Sequence, residues 1–309
     1  MTLSEPCLLP DDIRLLERGW LSSNNIVLQA EQGVVVIDTG YASHAEQTLA
    51  LIKSVVGRDG RLLRIMNTHL HSDHCGGNAV LAAAFNCPIA VPSGEFDKVL
   101  AWNDSDLSFQ QTGQRCARFI PTEKLVAGHS IRIGRRRWEL LSAPGHDPNS
   151  IIFFDPQDGW LISADALWQR GFGVVFPELE GVAGFSGVAA SLDLIESLPV
   201  HGVLPGHGAA FLDVKVAIEF ARQRLKRFEQ DPQSHAWHAA KVMLKFHLLE
   251  VKQIDEPTLL KWLATTTITQ SVWQRFFSDQ KIGAWASELI SQLLKSGAIA
   301  RKNQMICDV

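Results

Sequence analysis

The chain has 309 residues, of which 46% are hydrophobic and 20% charged, and carries a formal net charge of −4. That length accommodates one large or two medium domains, the composition excludes extended disorder, and the charge removes any general pull toward nucleic acid or an anionic membrane. Met1 to Asp12 lacks a basic start followed by an apolar core, and no window approaches a spanning helix. The five cysteines (Cys7, Cys75, Cys87, Cys116, Cys307) form no CxxC pair, so a cytoplasmic protein with reduced thiols is expected.

In chain order, the first strands are Asn25 to Gln29 and the β-branched run Gly33 to Ile37, which ends on Asp38-Thr39-Gly40. The spacing of Leu49, Ile52, Val55 and Val56 predicts a helix from about His44 to Val56. The apolar run Leu62 to Met66 is then followed by Thr68-His69-Leu70-His71-Ser72-Asp73-His74, which concentrates three imidazoles and a carboxylate in six residues. These are ligand types that suit zinc, iron or manganese. Period-two alternation would put His69 and His71 on one side of a strand end. Gly76-Gly77 permits a tight turn, and Asn78 to Phe85 reads as a short helix. Cys75 reads as a small packing residue beside the motif.

Farther along come a strand at Ile89 to Val91, a polar loop from about Trp102 to Thr122, and a hairpin of Ser130 to Ile133 with Arg137 to Leu141. Ile151 to Phe154 and Trp160 to Ser163 form another strand pair. Alternating strands and helices predict sheets covered by helices. Three later segments repeat the geometry of the first site. Ser142-Ala-Pro-Gly-His146, Leu161-Ile-Ser-Ala-Asp165 and Val203-Leu-Pro-Gly-His207 each place a ligand type just past an apolar run.

His69-x-His71-x-Asp73-His74 followed in order by His146, Asp165 and His207 resembles the metallo-β-lactamase superfamily. Asp38-Thr39-Gly40 and Ala143-Pro144-Gly145-His146, with Ser150 beyond, match further motifs, and the resemblance covers about residues 12 to 215. It implies an α/β fold, an αββα four-layer sandwich, with two divalent metal ions, zinc by expectation and iron or manganese as alternatives. Carried over by position, His69, His71 and His146 would hold one ion, Asp73, His74 and His207 the other, and Asp165 would bridge them. Asp38 would orient a ligand without coordinating. A shared hydroxide makes hydrolysis the default reaction, and Asp73 becomes the candidate catalytic proton acceptor.

Subclass follows from what is missing. Secreted β-lactamases of this superfamily carry an export signal and lack the bridging aspartate; signal lactonases of the fold place a tyrosine after it, whereas Tyr41 is the one tyrosine here. His71 excludes the flavo-diiron pattern, and the long inserted domain of the RNA-processing branch is absent. What remains resembles the glyoxalase-II-like group acting on a thioester or ester-type small molecule. The alternatives are a phosphodiesterase or endoribonuclease and a mononuclear iron sulfur dioxygenase.

From about Val216 to Val309 helical spacing dominates, through Phe220, Leu225 and Phe228, then Val242, Leu244, Phe246 and Leu249, then Ile290, Leu293 and Leu294. Glu256-Pro257 fits a helix start and Ser296-Gly297 a stop. A catalytic domain over 1–215 and a smaller, mostly helical or winged-helix-like domain over 216–309 are expected, the second covering the active-site mouth or forming a homodimer contact. No nucleic-acid or membrane partner is expected, since Arg135-Arg136-Arg137 and the basic residues of 222–227 read as solvated surface. His44, His129, His201, His235, His238 and His247 read as non-ligands, with His235 and His238 on one helix face that could border the pocket. The segment Ala166 to Gly187, with Trp168, Phe172, Phe176 and Phe185, reads as the substrate-facing loop.

Overall fold

A computed structural model describes residues 9–103 and 106–309; Cys7 lies outside them. The first sheet orders its strands β1 (Ile13–Leu16), β2 (Asn25–Ala30), β3 (Gly33–Ile37), β4 (Leu62–Met66), β5 (Ile89–Pro92) and β6 (Glu123–Leu125). β1 to β3 pair antiparallel and β3 to β6 parallel. The second sheet runs β11 (Gly202–Pro205), β10 (Trp160–Ala164), β9 (Ile151–Asp155), β8 (Arg136–Ser142), β7 (Ser130–Ile133), and only its β10–β11 pair is parallel.

Period-two alternation explains why the sheets stack. Ile26, Leu28, Val35 and Ile37 point between the sheets, against Leu140, Ile151, Phe153 and Ile162. Their neighbours Val27, Val34 and Val36 face outward and pack under α1 (Ala45–Val56) and α3 (Asn78–Phe85), which lie before and after the single turn α2 (Ser72–Cys75). On the far side, Ile152, Phe154 and Leu161 meet the later helices α7 (Phe185–Ser197) and α8 (Val214–Gln230). The result is the expected αββα sandwich. Short helices α5 (Ser108–Gln111) and α6 (Phe176–Glu180) interrupt segments that read as loops in sequence, and α4 (Phe96–Ala101) fills a stretch to which no element was assigned. Their length is one or two turns, too little for a period to register.

The apolar core changes identity at Asp231. Ala217, Ile218, Ala221, Leu225 and Phe228 of α8 belong to the sandwich core, so the division expected at Val216 falls inside the first turn of α8. Asp231 then accepts a hydrogen bond from Ser234 N at 3.0 Å and, with Pro232, opens α9 (Pro232–Val251). A second core joins α9 to α10 (Glu256–Thr265), α11 (Thr267–Phe276) and α12 (Ile282–Lys295), and takes in Val174 and Leu179 from the sandwich side. The antiparallel sheet β12 (Gln253–Asp255), β14 (Met305–Asp308), β13 (Ile299–Lys302) completes a winged-helix-like arrangement. Among the described residues no helix is long and apolar enough to cross a membrane.

Two basic residues read as solvated are not. Arg136 is 4% exposed and reaches Asp12, Asp155 and Asp158, tying the hairpin to the N-terminal strand. Arg224 turns inward from α8 to line a cavity.

Candidate metal centre

β4 stops at Met66, so His69 and His71 leave from the loop between β4 and α2 rather than alternating along a strand. Their rings still lie 4.7 Å apart, because the loop is held from beneath by Asp38. That residue follows β3 with φ of +59°, a left-handed conformation that aspartate tolerates better than most side chains. Its Oδ1 accepts from Thr68 N at 2.9 Å; its Oδ2 accepts from Thr68 Oγ1 and from His74 Nδ1, each at 2.8 Å. Asp38 thus fixes Thr68 and His74 from beneath. Gly76 and Gly77 have ordinary helical φ values and serve close packing instead. A Cβ on Gly77 would lie 2.5 Å from Thr39 O. Cys75 is a core residue and belongs to no donor group.

The later strand ends deliver the other donors. Ala143-Pro144-Gly145 places His146 against the cluster, where His146 Nδ1 donates to Val174 O at 2.5 Å and leaves Nε2 facing His71 Nδ1 at 2.7 Å. β10 ends on Ala164, at φ of +47°, and presents Asp165. β11 ends at Pro205, and Gly206 admits the neighbouring chain: a Cβ there would lie 2.3 Å from Asp165 Oδ1. His207 follows, with Nε2 at 3.1 Å from Asp73 Oδ2.

All seven candidate donors come together in three overlapping groups: His69, His71 and His146; His69, His74 and Asp165; Asp73, His74 and His207. Within each group the donor atoms lie within 4.8 Å of one another. His69 Nε2 and His74 Nε2 are buried without a hydrogen-bond partner, an arrangement costly for a polar atom unless something else occupies the space between them.

Electrostatics agree with a cation site. Burial, reinforced by the neighbouring imidazoles, holds His69 well below the usual histidine range, and burial pushes His71 and His146 down to about 4, so all present free lone pairs at neutral pH. Burial acts to lower His74 too, but Asp38, Asp165 and Asp73 overcome it and raise it well above the normal range. The carboxylates respond in kind: burial would raise them, yet His74 and His207 hold Asp165 well below, and Asp73 below, the ordinary value. The cluster draws positive charge to its centre. These residues fit a pair of divalent ions.

The centre forms the floor of a cavity of about 470 Å³. The segment following Asp165 supplies much of its wall through Trp168, Phe172 and Phe176, as expected of that loop; Phe185 instead belongs to the core beside Phe228. Trp168 Nε1 donates to Asp165 Oδ1 at 3.1 Å, and Trp20 stacks on His207 with ring centres 5.5 Å apart. Opposite stand Val242, Met243, Phe246 and Leu249 of α9; Val242, Phe246 and Leu249 carry the helical spacing noted above, in the part expected to cover the active-site mouth or form a homodimer contact. His238 does border it, and His235 Nε2 accepts from Val175 N at 3.2 Å just behind the wall. His44, His129, His201 and His247 stand outside the donor groups.

The family model described as the metallo-beta-lactamase superfamily matches residues 18–207. The chain belongs to this superfamily. Among curated relatives, a hydroxyacylglutathione hydrolase of Methylococcus capsulatus is 25% identical over 191 residues, 61% of this chain and 63% of that protein. The chain thus matches less than two thirds of that relative's length. A solved beta-lactamase domain protein from Burkholderia ambifaria matches the fold over 97% of this chain and 93% of its own, with a TM-score of 0.60 at 19% identity. Another superfamily fold, TTHA1623 in a di-iron-bound form, is 26% identical with a TM-score of 0.51, over 67% of this chain and 98% of that one.

Proposed function

We propose that the chain is a metal-dependent hydrolase that uses two divalent ions to cleave a thioester or ester bond in a small molecule. The observation that carries this reading is the convergence of seven donor side chains, with unpartnered ring nitrogens among them, beneath a mostly apolar cavity whose floor is lined by His71, Asp73, His146, Asp165 and His207. His69, His71 and His146 would hold one ion, Asp73, His74 and His207 the other, with Asp165 between them. Zinc suits these donors, and the di-iron form of TTHA1623 supports both the count and iron as the alternative. When bound, such a pair supplies a hydroxide at neutral pH and polarises the carbonyl it attacks.

The chain's own groups do the rest. Asp73, half-buried at the cavity floor with Oδ2 toward His207, is placed to accept a proton there. Trp168 and Trp20 flank Asp165 and His207 and exclude water from that side. No serine or cysteine lines the cavity among the described residues, which favours direct hydrolysis over a covalent acyl-enzyme. The thioester preference is supported by the hydroxyacylglutathione hydrolases among the relatives. Against a nucleic-acid substrate, α12, which occupies the recognition-helix position of the winged-helix-like part, carries Glu288 and has Lys295 as its one basic residue. A single iron would leave part of the donor set without a role.

Metal analysis with a panel of thioesters, lactones, phosphodiesters and β-lactams tests the reading. Asp165→Ala should retain fewer than two metal equivalents and lose hydrolysis, while full occupancy and turnover in that variant would overturn the assignment.

A further inference from the structure

The cavity wall is polarised along α9. At one end stand Arg224 of α8, Arg170 of the loop and Lys241 of α9, and among the described residues none has a carboxylate within ion-pair distance. Arg224 is inward-facing, and burial and then neighbouring Arg227 disfavour its charge. It donates to the main-chain oxygen of Phe172 at 3.4 Å and faces His238 Nε2 at 2.7 Å. Burial, followed by Arg224 itself, holds His238 down to about 3, so the imidazole is neutral and accepts from the guanidinium. By contrast Lys245, one turn on, is neutralised by Asp308 at 2.5 Å. The cavity's carboxylates, Asp73 and Asp165, belong to the metal cluster. Arg170 is exposed over the ring of Phe220, whereas Arg224 and Lys241 are half-buried, and half-buried cations beside an apolar wall without an anion gain from a ligand that supplies one.

The other end is apolar. Phe246 and Leu249 face the cavity, and Phe246 packs edge-on against Tyr41 at 5.3 Å. Lys241 and Leu249 stand about 12 Å apart along the helix axis. The metal cluster meets both ends: the cationic end adjoins Trp168, bound to Asp165, and the apolar end adjoins Gln114, which accepts from Ser72 between His71 and Asp73.

We propose that Arg170, Arg224 and Lys241 form an anion subsite for the leaving group of the substrate, and that Phe246 and Leu249 receive an apolar alkyl or aryl acyl group on the opposite side of the scissile bond. The substrate class is thus an acyl thioester or ester joining a bulky apolar acid to a carrier bearing phosphate or carboxylate. This rests on the proposed hydrolysis only in naming a scissile bond; the two subsites bind whether or not turnover occurs.

Two measurements separate the claims. In metal-loaded protein, tryptophan fluorescence follows titration with octyl phosphate, octanoate, octanol and inorganic phosphate. The anionic amphiphiles should bind about tenfold or more tightly than octanol and than inorganic phosphate, the gain expected when a charged group finds its hydrogen-bonding partners. Arg170→Glu with Lys241→Glu, both side chains without a hydrogen-bond partner among the described residues, should erase the advantage over octanol, while Arg170→Lys with Lys241→Arg should keep it. Comparing octyl phosphate with octanoate tells phosphate from carboxylate. Kinetically, the charge reversals should raise KM for octanoyl thioesters of phosphopantetheine or 3-mercaptopropionate about tenfold more than for the neutral N-acetylcysteamine thioester. Equal binding of octanol and the anions, or equal effects of charge reversal on all, overturns the subsite. Charge-dependent binding without turnover of any thioester would leave the subsite standing and remove the hydrolase reading instead.

Discussion

Asp38 spends a left-handed backbone conformation to put both carboxylate oxygens under the histidine loop. Because its Oδ2 accepts from Nδ1 of His74, it is Nε2 of that ring that faces the cluster. Removing such an orienting carboxylate costs a metal site about 10- to 100-fold in affinity. Asp38→Ala should therefore show that loss in a chelator competition, and Asp38→Asn, with one acceptor oxygen where the native residue has two, should fall between. Unchanged affinity in the alanine variant would mean that Thr68 and His74 are held by other contacts. The role expected of Asp38 came from the family resemblance, through the Asp38-Thr39-Gly40 motif, and not from any local pattern of its own. The indole bond from Trp168 to Asp165 was not legible, because no local pattern says which of several aromatics in a glycine-rich segment turns back onto the strand end.

At the scale of elements, the strands β3 and β4 were readable residue for residue, since short apolar runs, interrupted in β4 by Arg64 alone and bounded by polar or glycine residues, carry their own limits. β1 is a four-residue edge strand in which Ile13 alone is fully buried, and its Ile-Arg-Leu-Leu is too short to stand out. α6 and the start of α7 fell within the presumed loop for the same reason, their few apolar residues doubling as cavity wall and core. What no periodicity could reveal is the seam between α9 and the cavity loop. There the neutral imidazole of His235, 1% exposed, accepts the Val175 N–H. Burial, then Arg224, holds this histidine down to about 4 from a normal 6.5. Above pH 6.5 both folded and unfolded chains are neutral here and the contact counts in full. Between 6.5 and about 4 the unfolded chain takes up a proton that the fold refuses, so stability falls with pH, by roughly 3 kcal/mol at most. Urea midpoints at pH 7 and pH 4.5 should therefore drop less in His235→Gln, whose amide oxygen can accept the same bond without titrating, than in the parent. An identical drop in both would assign the acid sensitivity to the other buried histidines.

Across the whole molecule, one segment serves two masters. Asp165 contributes to the metal cluster and Val174 O receives His146; a residue or two away, Phe172 O receives Arg224 and Val175 N meets His235, while the Val174 and Leu179 side chains enter the C-terminal core. The two cores are thus coupled through about a dozen residues rather than through a flexible linker, and a ligand that orders the cluster must also tighten α8 and α9. A metal pair bound at a hundredfold excess over its dissociation constant stabilises the native state by about 2.7 kcal/mol. If the shared segment transmits that stabilisation, chelating the metal should speed amide exchange in α9 as well as in the loop after β4, and restoring the metal should reverse both. Exchange that changes around His69 to Cys75 alone would show that the C-terminal helices pack on the loop without sensing the site, and would confine their role to forming the cavity wall.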